Sequence, residues 1–267
     1  MRTGRATRID FSHALHAEWT KLRTTPAAAW LALAAIILTA GLSAASAAAA
    51  EYRTGGQQDL ARTGLTGIDL GQAMIAILAV SVISAEYGTG MIAATLTAIP
   101  RRVTMLAAKA AVVVAVALAA GTAAVLGSLL AARLLLPGNG FTAAHGYALV
   151  SLGDGPTLRA AGGSVLYLVL IALLSLGIAT AVRDSAVAVG IVLALLYLFP
   201  IIAAAVGNPT WRRHLTQIGP MDAGLAIQHT RDVSDLPIGP WAGLGVLAAW
   251  AGAALLAATA ALRLRDA

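Results

Sequence analysis

Six stretches of this chain contain no Asp, Glu, Lys, Arg or His: residues 27–50, 70–85, 110–132, 160–182, 185–207 and 241–262. All 18 basic and 12 acidic residues, and all five histidines, lie in the gaps between them. Charge is excluded this completely when the surrounding solvent is hydrocarbon, because one charged side chain at a helix centre costs about 2.5–3.5 kcal/mol on insertion scales. The pattern predicts an all-α polytopic membrane protein with six transmembrane helices. A barrel is excluded because the runs are continuously apolar rather than alternating.

Five of the runs are long enough for a helix to cross about 30 Å of hydrocarbon at 1.5 Å per residue. The run 70–85 is shorter, so Asp69 or Glu86 must sit near an interface. The absence of cysteine removes disulfides, thiolate metal sites and cysteine nucleophiles. A cleavable signal peptide is not expected, since the first apolar run is too long and more follow.

Charge also orients the chain. With the N-terminus in the cytoplasm, segments 1–26, 86–109, 183–184 and 263–267 lie inside and hold 11 of the 18 basic residues. The inner segments are then net +6 and the outer ones net zero, as the positive-inside rule requires. Both termini are therefore expected in the cytoplasm. The organisation read from this is an interfacial N-terminal segment 1–26, a six-span domain 27–262 and a short tail 263–267. Within the domain, 86–109 is the largest inner loop. The outer segment 208–240, with four prolines, is expected to form a cap. Segment 51–69 reads as a polar outer loop. The two-residue gap Arg183–Asp184 makes spans four and five antiparallel neighbours, and Pro200 should bend span five.

Residues 10–25 read as an amphipathic helix lying on the membrane surface. Phe11, Leu15, Trp19 and Leu22 share one face at 100° per residue, with Asp10 as N-cap and Pro26 as the stop. Glu18 falls in the middle of that apolar face. Locally it bends to the headgroup layer or pairs with Lys21; otherwise it meets a basic group elsewhere in the bundle. The inner loop holds Glu86-Tyr87-Gly88-Thr89-Gly90, then Pro100-Arg101-Arg102 and Lys109. Its apolar piece 91–96 is too short to span and suits a short helix that leaves the membrane and returns.

Glu18-Trp19-Thr20-Lys21-Leu22 before the first span, followed by the Glu86–Lys109 motifs between spans two and three, resembles the membrane subunits of bacterial ATP-binding-cassette exporters of the type-2 permease class. Residues 151–154, 240–243 and the terminal Arg-Leu-Arg-Asp-Ala are similar to the actinobacterial branch. The resemblance covers essentially the whole chain. It implies that Glu18, Trp19 and Lys21 belong to a connecting helix. It further implies that Glu86, Gly88 and Gly90 open a loop coupling to a separate ATPase, and that Pro100, Arg101 and Arg102 close it. The implied assembly pairs two permease subunits, identical or different, in the bacterial plasma membrane, with ATP and magnesium bound by the partner ATPase.

Other chemistries find little support. Gly88-x-Gly90-x-x-Ala93 follows a membrane span rather than a strand, so it is not a dinucleotide fingerprint. No phosphate-binding G-x-x-x-x-G-K-[ST] occurs, so this chain is not expected to be an enzyme or to bind a cofactor. His13, His16 and Glu18 do not share a helix face, which argues against a metal site. Nucleic acid is not an expected partner, because positive charge follows membrane side rather than forming a patch. Paired carboxylates are not seen within the spans. Small-residue pairs such as Gly41/Ala45, Gly127/Ala131 and Ala248/Gly252 read as general packing. The competing functional classes are a non-transporting membrane scaffold or sensor, and an ion-coupled carrier, the latter usually requiring buried ionisable groups.

Overall fold

The computed structural model describes residues 3–53, 57–88 and 102–264. Ten α-helices are found among them: α1 (Thr3–Thr24), α2 (Pro26–Ala49), α3 (Leu60–Leu65), α4 (Ile68–Gly88), α5 (Arg102–Leu135), α6 (Gly155–Val182), α7 (Ser185–Ala205), α8 (Pro209–Ile218), α9 (Pro220–Leu225) and α10 (Pro240–Leu264). Six are long and apolar enough to cross a membrane, α3 and α4 counting together as one span over Leu60–Ser84. The protein is all-α and multi-pass.

Helix α6 is the axis of the bundle. It packs against α4, α5, α7 and α10, while α2 lies on α4 and α5, and α1 runs along α5. In lipid the packing of helices gains little from the hydrophobic effect, so close backbone approach and satisfied polar groups decide which faces meet. A Cβ at Gly67 would lie 1.9 Å from the Thr39 carbonyl oxygen, and one at Gly177 would lie 2.7 Å from the Ala254 backbone. These contacts draw α4 onto α2 and α6 onto α10. The pairs Gly41/Ala45 and Ala248/Gly252 are not crossings of this kind, since neither glycine has any such neighbour within 4 Å. Large apolar side chains such as Trp30, Ile37, Leu198, Ile201 and Leu256 remain exposed on the outer helices, where lipid covers them.

The alternation of helices defines a proximal end, carrying α1, and a distal end. Between α6 and α7 the chain turns in two residues. Arg183 takes the left-handed conformation (φ 64°) and returns its N–H to Ala179, while the Asp184 carboxylate caps α7 by accepting from the Val187 N–H at 2.8 Å. Pro200 is accommodated within α7.

Two expectations change. Helix α1 begins at Thr3, so Asp10 lies inside it and is not its N-cap; no proline interrupts the preceding residues. Segment 51–69 is not a loop throughout: α3 occupies Leu60–Leu65, with Leu60, Ala61 and Leu65 buried. The short second run is thus extended by a helix of its own, which explains how 16 uncharged residues suffice.

The distal loops fold into a cap. Asn139 donates to the carbonyls of Ala47 and Ala48 at 2.9 and 3.0 Å, closing the end of α2. Tyr52 stacks on His145 at 4.3 Å and meets Phe141 and Tyr147 edge-on. Helix α8 is capped by Asn208, whose side chain accepts from the Thr210 and Trp211 N–H groups. Its Trp211 and Ile218 face outward, while Gln217 turns inward and donates to the Pro237 carbonyl at 2.7 Å.

Candidate functional site

At the proximal end the carboxylate of Glu18 is buried in the middle of the bundle contact. Its Oε2 accepts from Lys109 Nζ at 2.7 Å and its Oε1 from Lys21 Nζ at 2.8 Å. Glu18 is 4% exposed and the Lys109 side chain is fully buried, whereas Lys21 is 38% exposed. Of the alternatives for Glu18, the pair with Lys21 and the distant basic partner are therefore both realised. The local pair with Lys21 is half in solvent and contributes little by itself. The pair with Lys109 is of a different kind, because both of its groups are withdrawn from water, where their attraction is little screened.

The positions of the other sequence-derived residues are mixed. Trp19 is 46% exposed on α1, beside the ion pair in sequence but facing away from it. Glu86 and Gly88 lie in the last turn of α4, and Arg102 is the first residue of α5. Gly90, Pro100, Arg101 and the expected short helix at 91–96 lie outside the described residues. His16 is exposed while Glu18 is buried, so these two do not converge. Among the described residues no group of three or more metal-ligating side chains occurs.

At the distal end a polar chain enters the bundle. Tyr167 of α6 donates its hydroxyl to Gln72 Oε1, and Gln72 Nε2 donates to the Asp69 carbonyl at 2.9 Å. Tyr197 of α7 donates to the same carbonyl at 2.6 Å. Helices α6 and α7 are thereby fixed to the start of α4, where the turn at Thr66–Gly67 interrupts the helical ladder. Directly above lies a cavity of about 530 Å³, lined among others by Arg62, Asp69, Pro200, Met221, Asp222 and Gln228.

The cavity roof is held by one carboxylate. Asp59 caps α3 by accepting from the Arg62 N–H, and it also accepts from the Thr230 N–H and hydroxyl and the Arg231 N–H. Arg159 donates to the neighbouring His229 carbonyl. Burial raises the Asp222 carboxyl above the ordinary carboxylate value. Burial lowers His229, with Arg62 adding to the effect and Asp59 opposing it.

The model of one family, ABC-2 family transporter protein, matches residues 14–202, more than half of the chain. The chain belongs to the ABC-2 transporter family. No curated protein is similar enough to this ABC-2 chain to count as a relative. The family match contains Glu18, Lys21, Lys109, Asp69, Gln72 and Tyr167. It ends before α8, so the distal segment that roofs the cavity of this ABC-2 permease lies beyond it.

Sequence reasoning missed the distal network. Gln72 gave a signal, being the one side-chain amide within the run 70–85, where an unsatisfied polar group is costly. Asp222 and Gln228 gave none, because they sit in a polar segment where such residues are ordinary. Asp69 and Asp222 come to one cavity only through the fold, since Asp222 lies in the segment 208–240 outside the spans.

Proposed function

We propose that this ABC-2 permease is one half of a dimeric exporter in the bacterial plasma membrane, driven by a separate ATPase subunit that binds ATP and magnesium. The proximal end is cytoplasmic in this reading, supported by the excess of Arg and Lys in the segments there. The loop between α4 and α5 receives the ATPase, with Glu86, Gly88 and Gly90 at its beginning and Pro100, Arg101 and Arg102 at its return.

One observation carries the proposal: the Glu18–Lys109 ion pair joins α1 to α5 in the second turn after that loop. Helix α5 is 34 residues long, about 50 Å at 1.5 Å per residue, which exceeds the hydrocarbon thickness. A push on its proximal extension therefore acts on a continuous rod, and the buried pair obliges α1 to move with it. A transmission element needs this rigidity, and lysine at the junction supplies a fixed attachment rather than a sliding apolar contact.

The test is co-purification with the ATPase encoded beside the gene. Replacing residues 88–102 by a Gly/Ser linker should abolish association. Glu18→Gln should leave association intact but reduce transport-coupled ATP turnover several-fold. Unchanged association and turnover in both variants would refute the coupling role.

A further inference from the structure

The distal cavity has features that the permease reading does not use. Its volume of about 530 Å³ is that of a small-molecule site. Asp69 and Asp222 both line it, and among the described residues neither carboxylate makes a hydrogen bond or an ion pair within 4.0 Å. Arg62, on the same wall, offsets only one of the two carboxylates, so a second positive group is favoured there. Gln228 also lines the cavity, is 3% exposed, and its Nε2 has no partner among the described residues. Leaving a buried amide donor unpaired is costly, so the side chain is expected to turn towards a partner that enters the cavity.

We propose that this cavity binds the ammonium end of an amine-bearing amphiphile. Asp69 and Asp222 accept the N–H donors of the ammonium, and Gln228 donates to a carbonyl or ether oxygen close to it. Met221, Leu225 and Pro200 cover the apolar body. A cation is favoured over an anion because two carboxylates face Arg62, the one permanently charged basic residue on the wall, and the half-buried His229 is disposed to stay neutral. An ammonium is favoured over a metal ion because no cluster of three ligating side chains occurs among the described residues. An ammonium requires only acceptors and opposite charge, whereas a divalent ion requires a shell of several oxygens.

The site is also preorganised. Tyr197 and Gln72 hold the Asp69 backbone from one side, and Asp59 fixes the roof through Thr230 and Arg231 from the other. A ligand therefore meets carboxylates whose supporting backbone is already fixed, which limits the ordering cost of binding.

The proposal does not depend on ATPase coupling and is tested without it. The full chain in lipid nanodiscs is titrated by calorimetry with leucyl-leucinamide, a soluble probe with a free ammonium, amide carbonyls and an apolar body. Saturable binding at least tenfold tighter than that of the N-acetylated probe is expected. Asp222→Asn should weaken it tenfold or more and Gln228→Leu several-fold, with hydrogen exchange of α4 and α6 unchanged. Asp69→Asn should act as Asp222→Asn does, and if it fails to fold, Asp222→Asn alone decides. Absence of saturable binding, equal binding of the acetylated probe, or unaltered affinity in Asp222→Asn would each overturn the assignment.

Discussion

Asp59 and Thr230, 171 residues apart, are joined twice: the carboxylate accepts both the backbone N–H and the hydroxyl of the threonine, the latter at 2.7 Å. The same carboxylate caps α3 through the Arg62 N–H. One side chain therefore begins the second span and anchors the distal roof, so the two structures are coupled energetically.

Asp59→Ala should loosen both. Loss of a helix cap and of charge-assisted hydrogen bonds amounts to about 2–4 kcal/mol. Hydrogen exchange should rise across 208–239 and in α3, with little change in α5. Asp59→Asn preserves a capping oxygen but turns an amide towards the remaining donors. It should protect α3 while still freeing the roof.

The Glu18–Lys109 pair should behave as a buried ion pair. Glu18→Gln or Lys109→Met alone should destabilise the attachment of α1 by about 1.5–3 kcal/mol, read as increased exchange along α1, with Lys109→Met the milder because Glu18 keeps Lys21. The double variant should recover part of this, giving a coupling energy on the order of 1–3 kcal/mol in a thermodynamic cycle. Strict additivity of the two effects would show that the contact carries no energy.

Helix crossings offer a sharper contrast. Gly67→Ala places a methyl group 1.9 Å from a backbone oxygen, which cannot rotate away, and should lower stability by about 1–3 kcal/mol. Gly41→Ala and Gly252→Ala meet open space and should be neutral or slightly stabilising in thermal unfolding.

Acidification should weaken the roof through His229. Its folded value lies below the ordinary 6.5, so the folded state binds fewer protons than the unfolded state in that window. Stability is fully retained above pH 6.5 and declines as pH falls from there towards the folded value. Comparing melting temperatures of the wild type with His229→Gln isolates this from Asp222, whose raised value gives the opposite slope. The difference between the two proteins should grow as pH falls below 6.5 and level off once His229 is charged in both states.

The sequence by itself determined the solvent. Segregation of charge left six apolar runs, and six long apolar helices are what the fold contains, because each span must satisfy its own backbone in hydrocarbon. It also determined the Arg183–Asp184 turn, where two residues leave no other connection. The anomaly at Glu18 was visible too, since a carboxylate on an apolar helix face demands a partner. Which partner was a different matter. Helical periodicity places Glu18 on a face but says nothing of the helix opposite, and Lys109 lies 91 residues away. The distal cavity depended still more on the fold: Asp69, Asp222 and Gln228 are unremarkable in their own segments, and only helix packing brings them to one wall. Local pattern is set by the medium and the backbone, whereas coincidence of distant side chains is set by which helices pack closely.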